Sequence, residues 1–294
     1  MKEDDISRVI RVMQENYLQE ISQYNRSFLE KTFQKELHDH ALSSIDEYCS
    51  LLIQDPGVAD SLLASLSISY SEFFRSPLNF VLLEQVILPR LIREVHDGGG
   101  SEMRVWSAGC AGGQESYSLA IILEEIIRSE PYPFSYRIFA TDISLDDLAI
   151  AKAGLYDEHA VQNVRFGHIQ KYFTRVGEKY QVGEPLKSHL DFSYYDLLCS
   201  ETCCPSTSIF GDFHLVICSN LLFYYQSSAQ NLIIDKIGRC ISPNGCLVTS
   251  ETERAVFETR GDFKPYFWPV PIFFKTPCCL ASDPLLHKES KPGG

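Results

Sequence analysis

Residues 104–118 read Arg-Val-Trp-Ser-Ala-Gly-Cys-Ala-Gly-Gly-Gln-Glu-Ser-Tyr-Ser, and they constrain the fold more than any other stretch. A short apolar run breaks into glycines and then opens an amphipathic helix. In parallel α/β sheets a ligand sits over such a strand-loop-helix unit, at the carboxyl end of the strand. Gly109, Gly112 and Gly113 let the backbone turn sharply and approach a ligand with no Cβ in the way. They depart from the Gly-x-Gly-x-x-Gly spacing of a dinucleotide fold, because no glycine stands two residues after Gly109. Glu115, at the start of the helix, can face a cationic ammonium rather than a phosphate. The pairing suits S-adenosylmethionine better than a nicotinamide or flavin cofactor. Taken alone, the loop is also compatible with an ordinary glycine turn, so the residues downstream decide.

They continue the same rhythm. Tyr136 to Asp142 reads as a buried strand ending in an acid, and Ser144 with Asp147 resembles a capping box on the next helix. Strands follow at Leu190 to Asp196, Phe213 to Asn220 and Gly245 to Glu251, with a helix from about Gln226 to Cys240 between the last two. Strands alternating with helices predict a doubly wound, mostly parallel sheet. Lys171 to Val182 alternates in strand fashion around Gly177-Glu178 and reads as an inserted two-residue hairpin.

Upstream, Ile6, Val9, Ile10, Met13, Ile21, Tyr24, Phe28, Ile45, Tyr48, Leu51 and Leu52 recur at helical spacing, with Asp55-Pro56-Gly57 as a break. The division expected is a helical domain over 1–70 and a linker helix region over 71–100. A cofactor-binding domain over 101–276 follows, with its inserted β subdomain at about 163–190, and a polar tail over 277–294.

With 294 residues and 45% of them hydrophobic, the chain can bury a full core. The formal charge of −13 opposes binding to phosphate backbones, so nucleic acid is not an expected partner. No apolar stretch approaches the length of a membrane span. The charged stretch from Met1 to Arg11 does not read as a secretory signal, and a reducing cytoplasmic setting is expected. Neither Cys203-Cys204 nor Cys278-Cys279 has a chelating spacer, so no metal is expected and most of the ten cysteines read as core.

Asp142 can accept both hydroxyls of a ribose from the end of its strand. Helix capping is its alternative role, one that Ser144 already fills. Asp196 and Asn220 close the next strands, where each could meet an adenine amino group or a methionine ammonium, or could simply be a turn residue. Arg75 and Tyr224 end strongly apolar stretches and need partners.

This ordered set resembles the CheR-type chemotaxis receptor methyltransferases. It comprises Tyr24-Asn-Arg-Ser-Phe-Leu-Glu, Ser44-Ile-Asp-Glu-Tyr, Ser71-Glu-Phe-Phe-Arg-Ser-Pro, Ser107 to Ser118, Ala140-Thr-Asp-Ile-Ser and Cys218-Ser-Asn-Leu-Leu-Phe-Tyr, in order over roughly residues 20 to 251. The resemblance implies a Rossmann-like class I methyltransferase fold and methyl transfer from S-adenosylmethionine to glutamates of a chemoreceptor-like protein, by a monomer. By the same resemblance, Arg75 and Tyr224 lie beside the methyl group. Ser71, Gly109, Gly113 and Glu115 belong to the cofactor site with its methionine part, Asp142 to the ribose, and Asp196 and Leu197 to the adenine, with Asn220 nearby.

Several positions depart from the family pattern: Ser69-Tyr-Ser71 replaces Asn-x-Thr, Asp196 replaces Asn, and Ser219 replaces Arg. The first domain departs further. Through Tyr70 it carries six Lys or Arg against twelve Asp or Glu, where the family usually shows an Arg-rich docking helix. A cofactor-binding sensor or scaffold of the same family is therefore the alternative reading.

Overall fold

The computed structural model describes residues 3–67, 69–205, 207, 208 and 212–276. Cys278, Cys279 and the expected polar tail over 277–294 lie outside the described residues.

Four helices come first: α1 (Glu3–Tyr17), α2 (Arg26–Asp39), α3 (Ile45–Gln54) and α4 (Pro56–Leu66). Their starts are written in the sequence. The Asn25 side chain accepts from the Ser27 N–H, and the Ser44 hydroxyl accepts from the Glu47 N–H while Glu47 reaches back to the Ser43 N–H at 2.9 Å. Asp55 caps α4, whose first residue is proline. The inward stripes of these helices, with Val9, Met13, Phe33, Tyr48, Leu52 and Leu62, form one buried cluster.

A long helix follows, built from α5 (Pro77–Leu82), a π turn over Leu83–Ile87, and α6 (Leu88–Asp97). Pro89 lacks the N–H that an unbroken α-helix would use, and the widened turn immediately precedes it.

The remaining elements are β1 (Glu102–Ala108), α7 (Gln114–Ile127), β2 (Ser135–Asp142), α8 (Leu145–Ala153), β3 (Leu155–Asp157), α9 (Phe166–Tyr172), β4 (Phe173–Val176), β5 (Lys179–Val182), α10 (Glu184–Lys187), β6 (Leu190–Tyr194), β7 (Phe213–Ile217), α11 (Ser227–Cys240), β8 (Ile241–Val248), α12 (Arg254–Glu258), β9 (Phe263–Pro265) and β10 (Ile272–Lys275). The main sheet runs β6-β2-β1-β7-β8-β10-β9. Its first five strands are parallel, and β10 and β9 are antiparallel additions. Apolar side chains fill both faces. One cluster holds Val105, Tyr117, Ile121 and Ile138, and the other holds Trp106, Phe139, Phe213 and Ile234. The sheet is therefore doubly wound, and the chain reverses direction across it between β1 and β7.

Several expected strands end early. β6 stops at Tyr194, β7 at Ile217 and β8 at Val248, so Asp196, Asn220 and Glu251 stand in the loops beyond them. In the insertion, Lys171 and Tyr172 belong to α9 rather than to the hairpin, and the turn at Gly177-Glu178 joins β4 to β5. A third strand, β3, pairs with β5 to complete a three-stranded sheet. It lies before residue 163, where only three residues of strand carry too little alternation to be read.

Candidate functional site

Gly109 and Gly113 do different work in the loop after β1. Gly109 takes a φ of +75°, and a Cβ there would stand 3.1 Å from Leu221 Cδ2, so glycine lets the loop lie close against residues 219–222. Gly113, at φ +86°, precedes α7, and a Cβ would meet the Ala151 Cβ at 2.8 Å and the Phe192 ring at 3.2 Å. Its smallness serves the packing of α7 on α8 and β6. The structure does not bring Gly113 into the cavity lining.

That cavity opens above the carboxyl ends of β1, β2, β6 and β7. Of the residues singled out in the sequence, Ser71, Arg75, Gly109, Glu115, Asp142, Asp196, Leu197 and Asn220 line it. Tyr24, Tyr70, Tyr195, Ser219 and Tyr225 also line it, none of which the sequence assigns to the cofactor site. Tyr224 is not among the lining residues. Its ring packs at 4.8 Å against Phe28 and 4.1 Å against Phe223, while the next residue, Tyr225, takes the cavity wall.

Asp142 accepts the Ala111 N–H at 2.8 Å through Oδ2 and the Ser144 N–H at 2.9 Å through Oδ1. It thereby ties the glycine loop to the turn before α8, and these bonds use only part of the acceptor capacity of the carboxylate. Burial raises its pKa, and the backbone N–H groups of Ser144, Ala111 and Ile143 oppose that rise. Capping of α8 falls to Ser144, whose hydroxyl accepts from the Asp147 N–H at 3.2 Å.

Glu115 is enclosed at the inner end, with the Ser107 hydroxyl at 3.4 Å from Oε1. Burial pushes its pKa up to about 7, and the fields of Ser107 and Arg75 only partly offset it. A cation placed beside this carboxyl would restore its charge. Asp196 accepts the Leu198 N–H at 2.8 Å in a local turn, which holds Leu197 against the lining.

Arg75 owes its position to a strained residue. Phe74 takes a φ of +52°, uncommon for a bulky side chain, with its N–H held by Ser118 Oγ at 3.0 Å and its ring 5.2 Å from Phe80. The chain turns there, and Arg75 lies exposed at the cavity mouth. It donates to the Tyr70 carbonyl at 3.3 Å and covers the Tyr70 ring at 5.0 Å. Ser69, a departure from the family pattern, donates to Asp147 at 2.7 Å and anchors this segment on α8.

The loop after β7 is organised by Glu253, which sequence reasoning missed. Its buried carboxylate accepts the N–H groups of Asn220 (2.9 Å), Leu221 (2.6 Å), Leu222 (2.6 Å) and Ser250 (3.3 Å), together with the hydroxyls of Thr249 (2.9 Å) and Ser250 (2.6 Å). Asn220 holds a left-handed φ of +59° within this cradle. Glu253, one of two acids in Thr249-Ser-Glu-Thr-Glu253, carries no spacing signal for this role, because the loop it gathers lies some thirty residues upstream.

The helical region closes the far side. Tyr24 and Tyr225 form an isolated antiparallel bridge, with their rings stacked at 5.0 Å. The Asn25 N–H donates to the Tyr224 carbonyl at 2.6 Å, and the Gln226 N–H to the Gln23 carbonyl at 2.8 Å. Burial raises the pKa of both tyrosines, and Asp142 and Asp196 add to the rise.

Among the described residues no cluster could hold a metal ion, and no helix is long and apolar enough to cross a membrane.

A doubly wound sheet with this cavity beside its reversal point is a Rossmann-like ligand-binding architecture, and a family match makes it that of a class I methyltransferase. Residues 69–269 match the family model described as "CheR methyltransferase, SAM binding domain", and the chain belongs to that family. Its cofactor is accordingly S-adenosylmethionine. A "Chemotaxis protein methyltransferase" of Borreliella burgdorferi is 28% identical over 253 residues, 85% of this chain and 88% of that one. "Chemotaxis protein methyltransferase 1" of Pseudomonas aeruginosa is 29% identical, covering 74% and 78%. The "Chemotaxis protein methyltransferase" of Escherichia coli is 26% identical, covering 79% and 78%.

Proposed function

We propose that this chain transfers the methyl group of S-adenosylmethionine to glutamate carboxylates of a chemoreceptor-like protein, forming methyl esters. The observation that carries the reading is Arg75: a guanidinium at the mouth of the cavity whose inner end holds Glu115. The donor set fits the cofactor. Among the described residues Glu115 makes no ion pair and would gain one from the methionine ammonium, Asp142 has acceptor capacity left for ribose hydroxyls, and Gly109 draws the loop against residues 219–222 to close the wall of the site. Leu197 and Asp196 offer an apolar contact and an acceptor for the adenine. Ser71 and Asn220 complete the site, and residues 101–276 form the cofactor-binding domain to which the helical region over 1–70 is joined through 71–100.

When bound, S-adenosylmethionine supplies an electrophilic methyl on a positively charged sulfur. Arg75 orients the acceptor carboxylate by charge-assisted hydrogen bonds. That carboxylate is ionised near neutral pH, so no residue has to act as a general base. Held by Glu115 and Asp142, the cofactor would supply its methyl group to an oxygen of that carboxylate and would keep on sulfur the electron pair of the carbon–sulfur bond given up. Opposite charges disappear together, so the apolar walls assist by excluding the water that would shield them.

Incubating the protein with methyl-labelled cofactor and a lysate of its own organism tests the proposal. Labelled bands that lose methanol in mild alkali support it, and absence of alkali-labile label refutes it. One observation favours the alternative of a cofactor-binding sensor without catalysis: Tyr224 packs on Phe28 instead of lining the cavity. Cofactor binding with no transfer to any lysate protein would establish that reading.

A further inference from the structure

Arg75 lines a second groove as well as the cofactor cavity, so the two adjoin at this residue. The groove runs between the start of the long helix, with Pro77, Phe80 and Val81, and the segment carrying Asn163 and Arg165. Two of its features select an occupant. The first is apolar surface left in water: Val81, in the groove wall, is 45% exposed, and Leu78 and Phe166, the residues that follow Pro77 and Arg165 of the lining, are 56% and 72% exposed. The second is charge. Glu84, the acid of the groove, is neutralised by a two-pronged bond from Arg165 at 3.0 and 2.9 Å. Arg75 is exposed and its contacts are with the Tyr70 carbonyl and ring, so among the described residues its charge has no ion-pair partner. The Glu84–Arg165 ion pair also fixes the two walls against each other, so the groove is preformed.

An acidic acceptor approaching a molecule of net charge −13 meets overall repulsion. Its docking must therefore rest on local contacts, of which this groove supplies two kinds, apolar and cationic. We infer that the groove between residues 77–84 and 163–166 docks the acceptor: a polypeptide segment presenting a glutamate flanked by apolar side chains. The glutamate reaches Arg75, and its apolar neighbours cover Leu78 and Val81. The inference rests on the proposed glutamate methylation and adds the surface that selects which glutamates are modified.

The test uses two fluorescein-labelled synthetic peptides of fifteen residues, each with one central Glu. In one, leucines stand three and four residues to either side, and in the other serines replace them. Binding is followed by anisotropy with S-adenosylhomocysteine present. The leucine peptide binds at least tenfold more tightly than the serine peptide, and Leu78→Asp or Val81→Asp removes that advantage. Leu232→Asp, an exposed position on α11, leaves it intact. Equal binding of the two peptides, binding unaffected by the groove variants, or no binding at all overturns the inference. Labelling of the cognate lysate by the same variants keeps the two readings apart. Alkali-labile label that survives Val81→Asp removes the groove and leaves the methyltransferase. Groove-dependent peptide binding without alkali-labile label in the parent removes the reaction and leaves the groove.

Discussion

Protonation of Glu115 gives the sharpest test of how the cofactor is held. Burial holds its pKa up to about 7, so the cofactor-free site is partly protonated at neutral pH. A ligand ammonium beside it favours the carboxylate, and binding below pH 7 must therefore expel a proton. If the bound-state pKa falls to the ordinary carboxylate range, affinity scales with the ionised fraction. Between pH 7.5 and pH 6.0 it drops about eightfold, roughly 1.3 kcal/mol. Near pH 6.5 about three-quarters of a proton leaves per cofactor bound. Titration calorimetry in two buffers of different ionisation enthalpy measures both quantities. Glu115→Gln, which cannot ionise, should bind more weakly at pH 7.5 and lose most of the slope. The stability of the cofactor-free protein follows the same group with a definite sign. Its folded pKa is raised from 4.5, so the contribution is full below that value. It is lost as pH rises through about 7, by up to about 3 kcal/mol. A pH-independent affinity, or a Gln variant with the parent's slope, refutes the placement of a cation against Glu115.

Three further outcomes are expected. Asp142→Ala removes an acceptor from the ribose and frees the Ala111 N–H, so calorimetry should record about 1.5–3 kcal/mol weaker S-adenosylhomocysteine binding. Unchanged affinity removes Asp142 from the site. Arg75→Ala should cut methyl transfer at least a hundredfold while changing cofactor affinity less than threefold, and equal losses in both would move Arg75 from the reacting end to the cofactor. Glu253→Gln turns an NH2 group toward N–H and O–H donors. Urea unfolding should show at least about 3 kcal/mol of destabilisation, two or more charge-assisted bonds' worth, and a loss under about 1 kcal/mol contradicts the hub role.

Sequence made the strand-loop-helix around Gly109, the acid at the end of β2 and the cap at Ser144 legible because each is a local event within a few residues. What it hid was non-local. Glu253 gathers donors from the 220–222 loop, and Tyr24 reaches the cavity from another part of the chain. Neither has a neighbour in sequence that betrays its partner. β3 escaped because three residues are too short to show a period, and its pairing with β5 is what makes it a strand. Of the adjacent aromatic residues Tyr224 and Tyr225, the one facing the cavity depends on how a single 3-10 turn over Leu222–Tyr224 ends. Composition cannot decide that.

The stacked Tyr24–Tyr225 pair means that one wall of the cavity belongs to the helical region and the other walls to the sheet. Whatever fills the cavity is therefore thermodynamically coupled to the docking of residues 3–66, and the coupling is reciprocal. A partner that gripped the helices and drew them from the sheet would weaken cavity binding by the free energy with which an occupied cavity resists their release. Affinity for the small molecule thus reports on forces applied to a surface remote from it, and the hydrogen bonds at Gln23, Asn25 and Gln226 are where such a force is felt first.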